Sequence, residues 1–210
     1  MKLTLISDTH GQHRDLNLPS GDVLIHAGDV SKRGTESEVA DFLDWFSDQD
    51  FKYKIFIAGN HDFYFEDISE DIIGMIVPDD IIYLNDSGVE IDGVHFWGSP
   101  VQPRFYDWAF NRDRGEDIQK HWDKIPISTD VLITHGPPYE ILDMTNDGLR
   151  AGCEDLKDTL QKLRVRCHVF GHIHESYGSV QKDNCLYANA SVLDQHYNLI
   201  NEPIVHSLNL

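Results

Sequence analysis

Five short clusters along the chain, Asp8-Thr9-His10, Gly28-Asp29, Gly59-Asn60-His61-Asp62, His135-Gly136 and Gly171-His172-Ile173-His174, offer a ligand set of four histidines, two carboxylates and one amide. Asp8, His10, Asp29, Asn60, His135, His172 and His174 are the candidate metal ligands. Imidazole combined with carboxylate suits zinc, iron, manganese or nickel better than calcium or magnesium. No cysteine belongs to the set, which disfavours a structural zinc site. The set is too large for one tetrahedral ion and divides between two if one carboxylate bridges.

Each cluster follows a short apolar run. Leu3–Ile6, Val23–His26, Ile55–Ala58, Val131–Thr134 and His168–Phe170 read as buried strands. Ligands in open α/β sheets gather at the carboxyl ends of strands. A neighbouring glycine lets the backbone turn sharply beside a bound ion. Val89–Trp97, Asn184–Asn189 and Ile204–Leu208 read as further strands. Thr35-Glu36-Ser37-Glu38 is a capping box, and Val39, Phe42, Leu43 and Phe46 follow it at helical spacing. Leu156, Leu160 and Leu163 predict a helix over Glu154–Leu163, and Ile118, Trp122 and Ile125 predict another. Strand–helix alternation followed by more continuous strands argues for an α/β layered fold. With no repeat or linker in view, residues 1–210 are expected to form a single domain.

Composition narrows the classes of partner. With 17 basic and 36 acidic residues the formal net charge is −19, which opposes binding to long nucleic acid or to an anionic membrane. No apolar run is long enough to span a bilayer, and the N-terminal one is too short for a signal peptide. Cys153, Cys167 and Cys185 fit neither a zinc pattern nor a disulfide framework. A cytoplasmic protein with reduced thiols is expected.

The five clusters, in this order, resemble the signature of the calcineurin-like metallophosphoesterases: Asp-x-His, Gly-Asp, Gly-Asn-His-Asp, a later His and Gly-His-x-His. The match runs from residue 8 to residue 174. Gly98-Ser99-Pro100, Asp107-Trp108-Ala109-Phe110-Asn111, Thr134-His135-Gly136-Pro137-Pro138, Gly152-Cys153 and Asn189-Ala190-Ser191 add a likeness to small metallophosphoesterase-domain phosphodiesterases. The resemblance implies a four-layer α/β/β/α sandwich with the site above its two sheets. It implies two divalent ions, manganese first, with iron, zinc, nickel or cobalt as alternatives. Asp8, His10 and His174 would hold one ion and Asn60, His135 and His172 the other, with Asp29 bridging. A hydroxide between them would attack phosphorus in line. His61 would contact the phosphate or protonate the leaving group, and Asp62 would orient His61.

The expected function is therefore hydrolysis of small or nucleotide-like phosphate diesters. A phosphomonoesterase and a non-catalytic metal-binding scaffold are the competing readings, and the oligomeric state is left open. Among the other histidines, His13, His95, His121, His196 and His206 read as surface or loop residues, while His26 and His168 read as hydrogen-bonded core residues. Trp97, Phe105, Tyr106, Trp108 and Phe110 are candidates to stack on a base, with packing as the competing role. Arg104 is set between a phosphate contact and solvent.

Overall fold

A computed structural model describes residues 1–209. In chain order it contains β1 (Lys2–Ile6), β2 (Val23–Ala27), β3 (Tyr53–Ile57), β4 (Ile81–Tyr83), β5 (Ser87–Ile91), β6 (Val94–Ser99), β7 (Gln102–Pro103), β8 (Asn111–Arg112), β9 (Val131–Thr134), β10 (Cys167–Phe170), β11 (Gly178–Lys182), β12 (Cys185–Asn189) and β13 (Ile204–Ser207). Helices α1 (Glu36–Ser47), α2 (Phe63–Asp67), α3 (Glu70–Ile76), α4 (Glu116–Trp122) and α5 (Glu154–Leu160) lie between them. One sheet has the order β13-β1-β2-β3-β4 and the other β11-β12-β10-β9-β6-β5, with β7 and β8 paired apart. The inner strands run parallel; β13, β11 and β5 are antiparallel edges.

The period-2 alternation of each strand builds the layers. Leu3, Leu5, Val23, Ile25, Ile55 and Ile57 turn inward and meet Phe96, Val131, Ile133 and Val169 of the facing sheet. Their alternates Ile6, Leu24 and Phe56 turn outward, under Val39, Phe42, Leu43 and Phe46 of α1. On the far side Leu132 and Phe170 lie under Ile118 and Trp122 of α4 and Leu156 of α5. The result is the four-layer α/β/β/α arrangement. α1 starts where expected: the Thr35 hydroxyl accepts from the Glu38 N–H, and the Glu38 carboxylate accepts from the Thr35 N–H. Phe42, fully buried, stabilises this layer by about 1.5–3 kcal/mol relative to an exposed side chain.

Three expectations change in detail. The run Val89–Trp97 is not one strand but the hairpin of β5 and β6. Asp92 (φ 50°) and Gly93 (φ 81°) supply the two positive φ angles of a two-residue turn. α5 ends at Leu160 and not Leu163, and Ile125 falls beyond α4. Among the described residues, no helix is long and apolar enough to cross a membrane.

Candidate metal centre

The carboxyl ends of β1, β2, β3, β9 and β10 converge on one cleft. His10, Asn60, His172 and His174 line it together with Asp29, while Asp8 and His135 lie fully buried. Asp8 (φ 56°), His10 (φ 43°), Asp29 (φ 57°) and His172 (φ 68°) all sit in the left-handed region. That region is uncommon for residues with a Cβ, and strain of this kind concentrates at functional sites. The backbone cost is borne at the residues whose side chains meet.

Backbone carbonyls aim the imidazoles. His10 Nδ1 donates to the Ser31 carbonyl at 3.2 Å, His135 Nδ1 to Ala27 at 3.0 Å, and His174 Nδ1 to Asp194 at 2.9 Å. Each ring is thereby locked with Nε2 facing inward, as metal-ligating histidines commonly are. His174 Nε2 lies 3.4 Å from Asp8 Oδ1. Asp29 Oδ2 stands between two rings, 3.6 Å from His10 Nε2 and 3.4 Å from His135 Nε2. His135 Nε2 is also 2.8 Å from Asn60 Oδ1. The N–H of His172 donates to both Asp8 oxygens, and the Ser191 hydroxyl donates to Asp8 Oδ2 at 2.7 Å.

This donor set fits divalent cations. Donor atoms of Asp8, His10 and His174 lie within 4.8 Å of one another, as do those of Asp8, Asp29 and His135. The Nε2 of His10 is buried without a hydrogen-bond partner among the described residues, a cost that a bound ion would remove. A further group, His10, Asp29 and His61, meets the same distance. His61 therefore stands closer to the candidate ligands than the motif suggested. The ring of His172 makes no side-chain hydrogen bond among the described residues and rests 5.0 Å from the His135 ring.

Charge is tightly coupled here. Burial would raise the Asp8 carboxyl, but His174, His135 and His10 together hold it well below the usual range. Burial likewise opposes Asp29, and His135, His10 and His61 outweigh it to the same effect. His135 and His174 are pushed down by burial and up by Asp29 and Asp8 respectively, and end at about 9. Burial takes His10 down to about 4 and His172 to about 3. Without ions, two imidazoliums thus neutralise two carboxylates. An entering cation must displace their protons below pH 9. Ion uptake should therefore tighten as the pH rises from 6.5 toward 9, with proton release. Calorimetric titration of metal-free protein with manganese, in buffers of differing ionisation enthalpy, measures this; uptake without proton release at pH 7 would refute it.

Asp62 does not do what its place in the motif suggested. Its carboxylate accepts from the N–H groups of Val30, Ser31 and Gly59 and from the Ser31 hydroxyl. It braces the loops that carry Asp29 and Asn60. Burial raises it to about 6. His61 is held instead by the Lys32 carbonyl, to which its Nδ1 donates at 2.8 Å.

Aromatic side chains wall the cleft, whose volume is about 480 Å³. Trp108 stacks on His61 with centroids 4.3 Å apart, and Phe105 meets His172 edge-on at 5.1 Å. Trp97 and Tyr106 are absent from its lining, and Phe110 is buried in the α1 layer. Arg104 reaches the rim but is paired with Asp113 at 2.6 Å. Several lining residues had no signal in the sequence, Tyr197 and Arg114 among them. Tyr197 packs 4.9 Å from the His10 ring, and Arg114 donates to the carbonyls of Gly152 and Ala151. His26 and His168 are core residues bonded to Thr9 and Thr134 hydroxyls, as expected. His13 is not a surface residue: it is fully buried beside Phe42 and Trp45, with Nε2 donating to Asp41. His121 is also held, with Nδ1 donating to Asp86 and Nε2 accepting from Arg112.

A family profile described as calcineurin-like phosphoesterase matches residues 1–176. Metallophosphoesterase domain-containing protein 1 of Homo sapiens is 40% identical over 230 residues, covering 99% of this chain and 71% of that protein. A UPF0046 protein of Caenorhabditis elegans is 36% identical over 219 residues, covering 98% of this chain and 74% of that one. Among solved structures, a Thermus thermophilus protein, TT1561, shares the fold with a TM-score of 0.60 at 10% identity, over 90% of this chain and 88% of that chain.

Proposed function

The chain belongs to the calcineurin-like phosphoesterase family and is a metal-dependent phosphoesterase, and from that premise we propose that it hydrolyses small phosphate diesters with an aromatic or nucleotide-like group. The carrying observation is the lining of the cleft. One wall is aromatic, through Phe105, Trp108 and Tyr197, and the fixed cations in the lining, Arg104 and Arg114, are already engaged by protein acceptors. A diester carries one negative charge, while a monoester carries up to two and calls for more neutralisation than these arginines leave free.

On this reading Asp8, His10 and His174 would hold one ion and Asn60, His135 and His172 the other, with Asp29 available to both. When bound, two divalent cations, with manganese first and iron, zinc, nickel or cobalt as alternatives, would supply Lewis-acid charge neutralisation and an activated water. The protein's own contribution is placement. The carbonyl-anchored imidazoles of His10, His135 and His174 keep Nε2 turned into the cleft, and Asn60 would ligate without adding negative charge. The aromatic wall seats the apolar part of the ester and excludes water from one side of the phosphate. His61, fixed by the Lys32 carbonyl and stacked on Trp108, presents Nε2 to the leaving oxygen and, when protonated, donates to it. Three buried, unpaired cysteines support a reducing, cytoplasmic setting. The net charge of −19 supports a small substrate over long nucleic acid.

The test is a substrate panel with manganese-loaded protein. Bis(p-nitrophenyl) phosphate should turn over faster than p-nitrophenyl phosphate. His61→Ala should lose about 10²-fold or more on a diester with an alkoxide leaving group, and much less on p-nitrophenolate, which leaves without protonation. Faster monoester cleavage would make the protein a phosphomonoesterase. Equal losses on both leaving groups would remove His61 from acid catalysis, and no turnover with two ions bound would favour a scaffold.

A further inference from the structure

At the pole opposite the metal ligands, a cavity of about 780 Å³ opens between the C-terminal end of α5, the segment entering β10 and the β11–β12 hairpin. β10 runs from this cavity toward His172. The six residues from Cys167 to His172 span on the order of 15 Å, so the two sites are separate.

The charge of this cavity runs against the composition. Its lining carries Lys157, Arg164, Arg166 and Lys182 against the carboxylate of Asp183. In the whole chain acidic residues outnumber basic ones, 36 to 17. Lys157 is paired with Glu140, and Arg166 stands 3.6 Å from Asp130. Arg164 and Lys182 make no ion pair and no side-chain hydrogen bond among the described residues. Two cations therefore remain available beside a floor that includes Leu160, Val165 and Tyr187. A concave wall with unneutralised charge focuses its field on whatever enters.

The mouth is also built rigidly. Lys182 pairs with Cys185 across a two-residue loop, and Asp183 (φ 48°) and Asn184 (φ 64°) have the positive φ angles of a type I′ turn. The turn sets the backbone of Lys182 at the rim. The volume lies within the usual range for small-molecule pockets, and the lining is mostly polar, with Leu160, Val165 and Tyr187 among its apolar members.

We propose that this cavity is a second ligand site, for a small organic anion that carries a phosphate- or sulfonate-like group on an aromatic or apolar body. The anionic group lies between Arg164 and Lys182, and the body covers Leu160 and Val165. The site does not depend on the substrate assigned to the metal centre.

The probe is 1-anilinonaphthalene-8-sulfonate, titrated into the manganese-loaded full chain and followed by its fluorescence. Saturable binding is expected, weakened about tenfold or more by Arg164→Ser with Lys182→Ser, since loss of two charge contacts of this kind amounts to at least one decade in Kd. Both residues are exposed, so the double variant should keep its fold, which far-UV circular dichroism checks. The neutral analogue N-phenyl-1-naphthylamine should bind more weakly than the sulfonate and be indifferent to the double variant. Trp108→Ala should leave the sulfonate titration unchanged. Binding that survives the double variant, or that Trp108→Ala abolishes, places the probe elsewhere and overturns the proposal. Equal affinity for the neutral dye overturns the anion requirement.

Discussion

Asp29→Asn should lower kcat/KM for a phosphate diester by roughly 10³ or more, because the Lewis-acid contribution at stake is several kcal/mol and each 1.36 kcal/mol is tenfold. The substitution keeps shape and removes charge. Asp29 Oδ1 accepts from the His61 N–H at 2.8 Å, and an asparagine oxygen can do the same. Asp29 Oδ2, however, faces both His10 Nε2 and His135 Nε2 at 3.6 and 3.4 Å. An amide nitrogen there has no lone pair for a cation, and the negative charge common to both groups is lost. Metal analysis should find two ions per chain in the wild type and one or none in the variant. Burial pulls His135 down, and Asp29 contributes most to holding it up at about 9. The His135 pKa should therefore fall in the metal-free variant, as NMR titration of its ring would report. A variant that keeps both ions and its rate would show that Asp29 is not a shared ligand.

The candidate site was legible where chemistry and backbone period coincide. Asp8, Asp29, Asn60, His135 and His172 each follow a buried strand by one to three residues, so strand recognition alone brings them to one edge of the fold. What stayed hidden depends on contacts made across the chain. Tyr197 reaches His10 from the far end of the sequence, and nothing local marks it. A turn built on Asp194, whose carboxylate accepts from the N–H groups of His196 and Asn198, carries it there. His13 reads as polar but is buried against Phe42 and Trp45 of α1, with Asp41 of the same helix accepting from its Nε2. Asp62 adjoins His61 in sequence, yet its side chain turns to Val30, Ser31 and Gly59, a direction that one tetrapeptide does not encode. α3 has no clear sequence period for a different reason: Ile72, Ile73, Met75 and Ile76 are apolar on both faces, and only Ile73 and Ile76 pack on the α1 layer while Ile72 and Met75 stay exposed.

Gly171→Ala should damage both stability and activity, although it adds one methyl group. A Cβ at this position would stand 2.0 Å from Asp8 Oδ2, 2.2 Å from Ser7 Oγ and 2.7 Å from Ser7 Cβ. None of these neighbours is the loose end of a long side chain. Asp8 is fully buried and is pinned by the His172 N–H and the Ser191 hydroxyl, while Ser7 donates to the Gly28 carbonyl. Forcing them apart should cost about 1–3 kcal/mol by overpacking. At about 2–4 °C per kcal/mol for a chain of this size, Tm should fall by roughly 2–12 °C. The displaced group is one of the proposed metal ligands, so a shift of about 1 Å should also lower kcat about 10²-fold. Gly74→Ala gives the control. It lies on α3 with nothing within 4 Å of the added Cβ, and alanine favours the helix by up to about 1 kcal/mol. Tm should therefore hold or rise, with activity intact. If Gly171→Ala matched Gly74→Ala in both Tm and rate, the close approach of β10's end to Asp8 would not be what sets the geometry of the site.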